Sequence, residues 1–244
     1  MFTGYRMLVS ELYKTDWQTM IILDACRYDV FSEVYKDYFD GKLIKAETKS
    51  TSTDRWYKRY WMGEHKDKCL ISMNPIYKRE KIELGFGKIV EAWPGFEPII
   101  AIDKYRELEW GGKVVIHLIP PHIPFLSARG KKVQGMAACR YEGHASHTVT
   151  AYGRAGHWDT VKEIYRENAE HALQVLKDNW IFKGPVVITA DHGELLGEGN
   201  FYGHGLGQEA QERAEFPELK RILTTVPWFE VADKKGEVNE IPQG

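Results

Sequence analysis

Three short apolar runs constrain this chain more than anything else in it: Met20-Ile21-Ile22-Leu23, Lys113-Val114-Val115-Ile116-His117-Leu118-Ile119 and Val186-Val187-Ile188-Thr189. A strand with one wet face alternates apolar and polar residues. These runs do not, which is the pattern of strands buried on both faces in a parallel sheet covered by helices. Each run stops abruptly at polar residues: Asp24, then His122 in Pro120-Pro121-His122-Ile123-Pro124, then Asp191-His192-Gly193-Glu194. Open α/β sheets gather their ligands at the carboxyl ends of such strands. The expected fold class is therefore α/β, a three-layer α/β/α sandwich with a mostly parallel central sheet. With 244 residues, 43% of them hydrophobic, the chain can build one sizeable core. No repeat or linker interrupts it, so residues 1–244 are expected to form one domain.

The remaining elements read as follows. Phe2 to Trp17 suits an amphipathic helix, with Leu8, Leu12 and Tyr13 on one side. A helix follows Asp24 from Ala25 onward. Lys42 to Ala46 reads as a strand, and Asp54 to Met62 as a helix entered through Ser50-Thr51-Ser52-Thr53. Gly63 to Trp110 shows no motif, although Cys69 to Ser72 reads as a strand and Lys104 to Trp110 as a helix. Ser127 to Trp158 is polar and glycine-rich and reads as a loop over the site. Its His144, His147 and His157 match no metal-ligand spacing. Asp159 to Trp180 is a clear amphipathic helix. Gln208 to Leu219 reads as a polar helix, Ile222 to Val231 as a final strand, and Lys234 to Gly244 as a tail.

The residues at the strand ends share a chemistry. Asp191 and His192, with His204 twelve residues beyond in Gly203-His204-Gly205, are the oxygen and nitrogen donors that zinc and manganese take. Asp24 suits a helix N-cap as well as a ligand. The hydroxyls of Thr51 to Thr53 precede a helix, where a Ser or Thr is a cap or a nucleophile toward an anionic ester. His117, late in its strand, reads as a core histidine. Arg27 either pairs with Asp29 or orients an anionic substrate. Glu194 or a histidine suits proton transfer at the leaving group or an attacking water. Together the set suits transfer of a phosphoryl or sulfuryl group assisted by a divalent cation.

The segments ILDACRYD (22–29), STST (50–53), HLIPPHIPF (117–125), TADHGELLGE (189–198) and YGHG (202–205) resemble, in order and rough spacing, the alkaline phosphatase superfamily. The branch is that of sulfatases, phosphoethanolamine transferases and lipoteichoic-acid synthases. The resemblance implies an alkaline phosphatase-like sandwich with Asp24, Asp191 and His192 holding the principal cation, zinc or manganese. It implies His122 and His204 on a second ion or on the substrate's anionic group. The nucleophile it implies is Thr53 or Ser52, with Thr53 the better match. His117, Arg27 and Glu194 are expected on the substrate side. The formylglycine motif Cys-x-Pro-Ser-Arg is missing, since Cys26 is followed by Arg27-Tyr28. The lysine that sulfatases place after DHGE is replaced by His204. Both departures lean toward phosphate esters.

The function expected is thus cleavage of phosphate mono- or diesters, small or linked to a glycan or lipid, by hydrolysis or transfer, with one or two cations. The alternatives are a sulfuric ester hydrolase using an unmodified hydroxyl, and an inactive metal-stabilised binding protein. A net charge of −2 points away from nucleic acid. No apolar run is long enough to span a membrane. Three scattered cysteines and the absence of a leader pattern make a cytoplasmic protein the expectation.

Overall fold

Thr19–Leu23 is buried along its whole length and lies inside an eight-stranded sheet. The structure is a computed structural model, and it describes residues 7–135, 142–204 and 216–232. Its strands are β1 (Met7–Leu8), β2 (Thr19–Leu23), β3 (Gly41–Glu47), β4 (His65–Ser72), β5 (Phe86–Glu91), β6 (Lys113–Leu118), β7 (Val186–Thr189), β8 (Leu195–Leu196), β9 (Tyr202–Gly203) and β10 (Thr225–Val231). The large sheet has the order β1-β3-β10-β7-β2-β6-β4-β5, and β8 pairs with β9 in a separate hairpin. Only β10 runs against its neighbours β3 and β7; every other pairing in the large sheet is parallel. The fold is thus the α/β arrangement with a mostly parallel sheet that the unalternating runs predict.

Register explains why the polar strand ends meet. Ile22 of β2 stands opposite both Thr189 of β7 and His117 of β6. Asp24 and Asp191 each lie two residues beyond a member of that row, so two carboxylates emerge side by side. Ser72, at the end of β4, stands opposite His117. The same edge is thereby extended toward β4.

The helices are α1 (Val9–Leu12), α2 (Tyr28–Val34), α3 (Thr53–Tyr60), α4 (Ile76–Arg79), α5 (Ile99–Arg106), α6 (Ala128–Gln134), α7 (Glu142–Tyr152), α8 (Trp158–Asp178) and α9 (Phe216–Thr224). The long α8 packs against both α2 and α5. Its buried Val161, Ile164, Ala169, Ala172, Leu173 and Leu176 form the stripe the sequence shows. Each of the valine, isoleucine and leucine side chains contributes roughly 1.5–3 kcal/mol by leaving water. The main core surrounds the sheet. A second cluster, including Ile123, Phe125, Ile164, Leu196 and Tyr202, underlies the loop that carries His122. A third, Leu195, Leu219 and Leu223, joins α9 to the strand that follows Glu194.

Several elements differ from expectation. Among the described residues, the amino-terminal segment forms β1 and a single helical turn rather than one helix, because Met7 and Leu8 pair with Ala46 and Glu47. Residues 1–6 lie outside the described residues. The stretch after Ser127 is helical, not a loop. Ser127 caps α6 by accepting from Gly130 N, and α7 runs through a π-helical turn at Gly153–His157 into α8. His147 and His157 are exposed there, and His157 stacks on Tyr152; the side chain of His144 lies outside the described residues. The featureless third contributes β5 and α4, and its helix runs Ile99–Arg106. Helix α2 starts at Tyr28 with Arg27 at its N-cap, so Asp24 caps nothing. The expected helix from Gln208 is seen only from Phe216, and it continues to Thr224 before β10 begins. Residues 205–215 and the 234–244 tail are outside the described residues.

Candidate active site

Asp24 and Asp191 are both fully buried, and each uses one oxygen on the protein. Asp191 Oδ1 accepts from the backbone N–H of Ala25 and of His192, both at 3.0 Å. Asp24 Oδ2 accepts from Asn74 Nδ2 at 2.7 Å and faces His117 Nε2 at 3.5 Å. The other two oxygens turn toward His192 and Thr53. His192 Nδ1 lies 2.8 Å from the carbonyl of Gly193. A proton there leaves Nε2 with its lone pair facing 3.3 Å to Asp191 Oδ2 and 3.7 Å to Asp24 Oδ1. Thr53 Oγ1 completes the group, 3.3 Å from His192 Nε2 and 3.5 Å from Asp24 Oδ1.

These four atoms fit a divalent cation. Donors bound at 2.0–2.2 Å in a tetrahedron are about 3.3–3.6 Å apart, close to the four separations of 3.3, 3.3, 3.5 and 3.7 Å within this group. Asp191 Oδ2 is a buried carboxylate oxygen without a hydrogen-bond partner among the described residues. Two ionised carboxylates at one dry point are costly unless a positive charge joins them. Burial alone would raise the Asp24 carboxyl, but the His117 hydrogen bond and the neighbouring His122 and His192 outweigh it and hold it well below the ordinary range. Burial lowers the pKa of His192, which favours the neutral imidazole a cation needs.

A second trio adjoins the first. Glu194, also fully buried, meets His122 Nδ1 at 2.5 Å through one oxygen and His204 Nδ1 at 3.0 Å through the other. Burial would raise its pKa, yet the two histidines bring it down to about 2. Glu194 therefore stays ionised and fixes both imidazoles through Nδ1. The rings of His204 and His192 lie 4.3 Å apart, so the two trios are contiguous. Each of them forms a set of candidate ligand atoms within 4.8 Å of one another.

The supports come from across the chain. Ala25 adopts a left-handed φ of 58°, which is strained for a residue with a Cβ. Asp191 holds its N–H, and Tyr165 of α8 donates to its carbonyl at 2.6 Å. Asn168 of α8 donates to the carbonyls of Pro121 and His122 and accepts from Leu126 N, fixing the proline loop. Gly193 donates to Leu223 O at 2.7 Å, and a Cβ there would stand 2.5 Å from Ile222 O. Only glycine lets α9 approach this closely.

The structure brings Asp24, Thr53, Asp191 and His192 to one point, with His117 beneath them and His122, Glu194 and His204 beside them. His117 has no exposed surface, and its Nδ1 lies 2.9 Å from the Tyr57 hydroxyl. It therefore faces the carboxylates rather than a cavity. Ser52 is not brought in: its hydroxyl donates to Asp54 at 2.6 Å. Arg27 is one layer out, held by both oxygens of Asp29, by Glu198 at 2.7 Å and by the carbonyl of Glu194. The sequence reading misses Asn74, Tyr57, Tyr165 and Asn168. A polar residue just past an apolar strand, as Asn74 is past β4, was the one signal available.

A mostly parallel sheet with carboxylates and histidines at its carboxyl edge is the α/β architecture that gathers ligands at its strand ends. No protein-family model matches the chain, and no curated protein matches its sequence. Solved structures do. The zinc complex of the C-terminal periplasmic domain of EcEptC from Escherichia coli has a TM-score of 0.52 at 12% identity, covering 94% of this chain and 73% of that one. The soluble domain of lipooligosaccharide phosphoethanolamine transferase A from Neisseria meningitidis has a TM-score of 0.54 at 13% identity, covering 88% and 76%. The integral membrane form of the latter enzyme has a TM-score of 0.51 at 13% identity, and this chain spans 49% of its length. What these structures share with this chain is the fold, the α/β arrangement with a large, mostly parallel sheet that the motif resemblance implies.

The cytoplasmic expectation is contradicted: solved structures that share this fold are periplasmic domains. The unpaired cysteines misled because they are core residues. Cys26 and Cys69 are buried, and burial raises both thiols, which leaves them inert in any compartment. Cys139 lies outside the described residues. Among the described residues, no helix is long and apolar enough to cross a membrane.

Proposed function

We propose that this chain is a divalent-cation-dependent enzyme that cleaves phosphate mono- or diesters, with Thr53 as nucleophile and water or an alcohol as final acceptor. The observation that carries this reading is Thr53 Oγ1 at 3.3 Å from His192 and 3.5 Å from Asp24, at the first residue of α3. Free N–H groups at a helix start stabilise negative charge arriving there. Asp24, Asp191, His192 and Thr53 would hold the cation, which supplies positive charge at the phosphate oxygens and lowers the pKa of the hydroxyl. Zinc suits the tetrahedral spacing, and manganese the oxygen-rich donor set.

Thr53 Oγ1 forms the new bond to phosphorus as the ester P–O bond breaks, and its proton passes to solvent. His122 and His204, set by Glu194, would hold the non-bridging oxygens. In its protonated form either one donates the proton that the leaving oxygen requires. Water or an alcohol then attacks the phosphothreonine and restores the hydroxyl. Transfer rather than plain hydrolysis is supported by the names of the fold's neighbours, which are phosphoethanolamine transferases. Elemental analysis with a panel of aryl phosphate, aryl phosphodiester and aryl sulfate esters tests the reading. Stoichiometric zinc or manganese with phosphate ester cleavage is expected. Cleavage of the sulfate alone would make the chain a sulfatase. Neither metal nor turnover after reconstitution would make it a binding protein.

A further inference from the structure

A cleft of about 430 Å³ lies between the segment leading into Thr53 and helix α9. Four cations line it, Lys49, Arg59, Lys220 and Arg221, against the single carboxylate Glu47. Arg221 is paired with Glu218. Among the described residues, no carboxylate lies within ion-pair distance of Lys49, Arg59 or Lys220. The neighbouring cavity of about 590 Å³ is built differently. Its Arg27, Lys45 and Arg221 face Asp29, Glu198 and Glu218, so its charges balance internally. In a chain of net charge −2, the first cleft is a local excess of positive charge, and such a concavity concentrates anions.

Its place relative to Thr53 is fixed by backbone. Thr48 N donates to Thr224 O at 2.9 Å, and Gly193 N donates to Leu223 O at 2.7 Å. The last turn of α9 is thus tied both to the Thr53 segment and to the Asp191–Glu194 turn. Lys49 precedes Thr53 by four residues. Arg59 follows it by six along α3, about 9 Å of helix. Lys49 and Arg59 thus flank Thr53 on the same stretch of chain.

We propose that this cleft is a second anion subsite that takes a phosphate group of the substrate other than the one attacked. The class of ligand is a phosphate mono- or diester, so the preferred substrate carries two phosphates. Its role in catalysis rests on the phosphate-ester reading above, whereas its anion binding does not. That binding is measured on the full chain stripped of metal, by calorimetric titration with inorganic pyrophosphate at low salt. One pyrophosphate per chain is expected, bound about tenfold more weakly by the Lys49→Gln/Lys220→Gln variant and unchanged by His204→Ala. No binding to the wild type, equal binding by the double variant, or loss in His204→Ala instead would overturn the subsite. None of these outcomes depends on turnover, so the catalytic reading stands or falls separately.

Cosedimentation with vesicles of equal parts phosphatidylcholine and phosphatidylglycerol distinguishes the source of the phosphate. Binding that the double variant loses identifies a lipid headgroup. Pyrophosphate binding without vesicle binding identifies a soluble bisphosphate.

Discussion

Thr53 and Ser52 are adjacent hydroxyls with different fates. The Thr53 hydroxyl points at His192 and Asp24, while that of Ser52 is spent on Asp54. Thr53→Ala is expected to lower kcat by on the order of 10³-fold or more. Ser52→Ala should keep turnover and cost about 1 kcal/mol of stability, the worth of one ordinary hydrogen bond. Steady-state kinetics and denaturant melts of the two variants check this, and the reverse pattern would move the nucleophile to Ser52. Asn74 is argued the same way. Asn74→Ala strips Asp24 Oδ2 of its one hydrogen bond shorter than 3 Å. It should weaken metal binding roughly 10–100-fold, as loss of a ligand's supporting partner does, in a competitive chelator titration.

At this scale the sequence told much and missed in a consistent way. Asp24, His122, Asp191 and His192 were legible because each ends an apolar run. Thr53 could be separated from Ser52 only by the motif resemblance, since spacing alone serves both. Tyr57 and Asn168 left no mark and Asn74 only its place just past β4, because a polar residue acquires such a role only from a partner distant in the chain. Asn74 is 50 residues from Asp24.

Between elements, Arg27 joins the start of α2 to the turn that carries Glu194 and Glu198. Its guanidinium, 11% exposed, spans Asp29, Glu198 and the Glu194 carbonyl, and Glu198 in turn accepts from Leu196 N. Arg27→Lys cannot reproduce that fork. The expected cost is about 1–2 kcal/mol, from lost hydrogen bonds at a nearly buried guanidinium whose partners Asp29 and Glu198 are 57% and 28% exposed. Part of this depends on pH. Burial would raise the Asp29 carboxyl, but Arg27 holds it below its ordinary value of 3.8. The unfolded chain therefore binds more protons in acid, and the stabilisation is full above about 3.8 and fades below it. Denaturant melts at neutral and acid pH should show the wild-type advantage over Arg27→Lys shrinking in acid.

The elements read best were those with strong apolar patterns, β2, β6, β7 and α8. Those missed, α6 and α7, are polar and glycine-rich. Helix α6 is held by a Ser127 cap and by Gln134 bonding both backbone groups of Phe125, signals that a hydrophobic period does not carry.

For the whole molecule, the sheet register collects two buried carboxylates whose repulsion the metal-free chain must bear. On the proposed reading, metal binding and folding are coupled. Asp191→Asn keeps the acceptor for Ala25 N and His192 N while removing one buried charge. Without metal, the variant should melt higher than the wild type. With zinc at about 1,000 times its Kd, the wild type should gain about 4 kcal/mol and the variant almost nothing.

The most direct test of the central claim, that Asp24, Thr53, Asp191 and His192 hold a divalent cation, is the metal content of purified wild-type and Asp191→Asn protein. The account predicts stoichiometric zinc or manganese in the wild type and none at this centre in the variant. Full occupancy in Asp191→Asn, or a wild type that takes up no metal when zinc and manganese are offered, would contradict it.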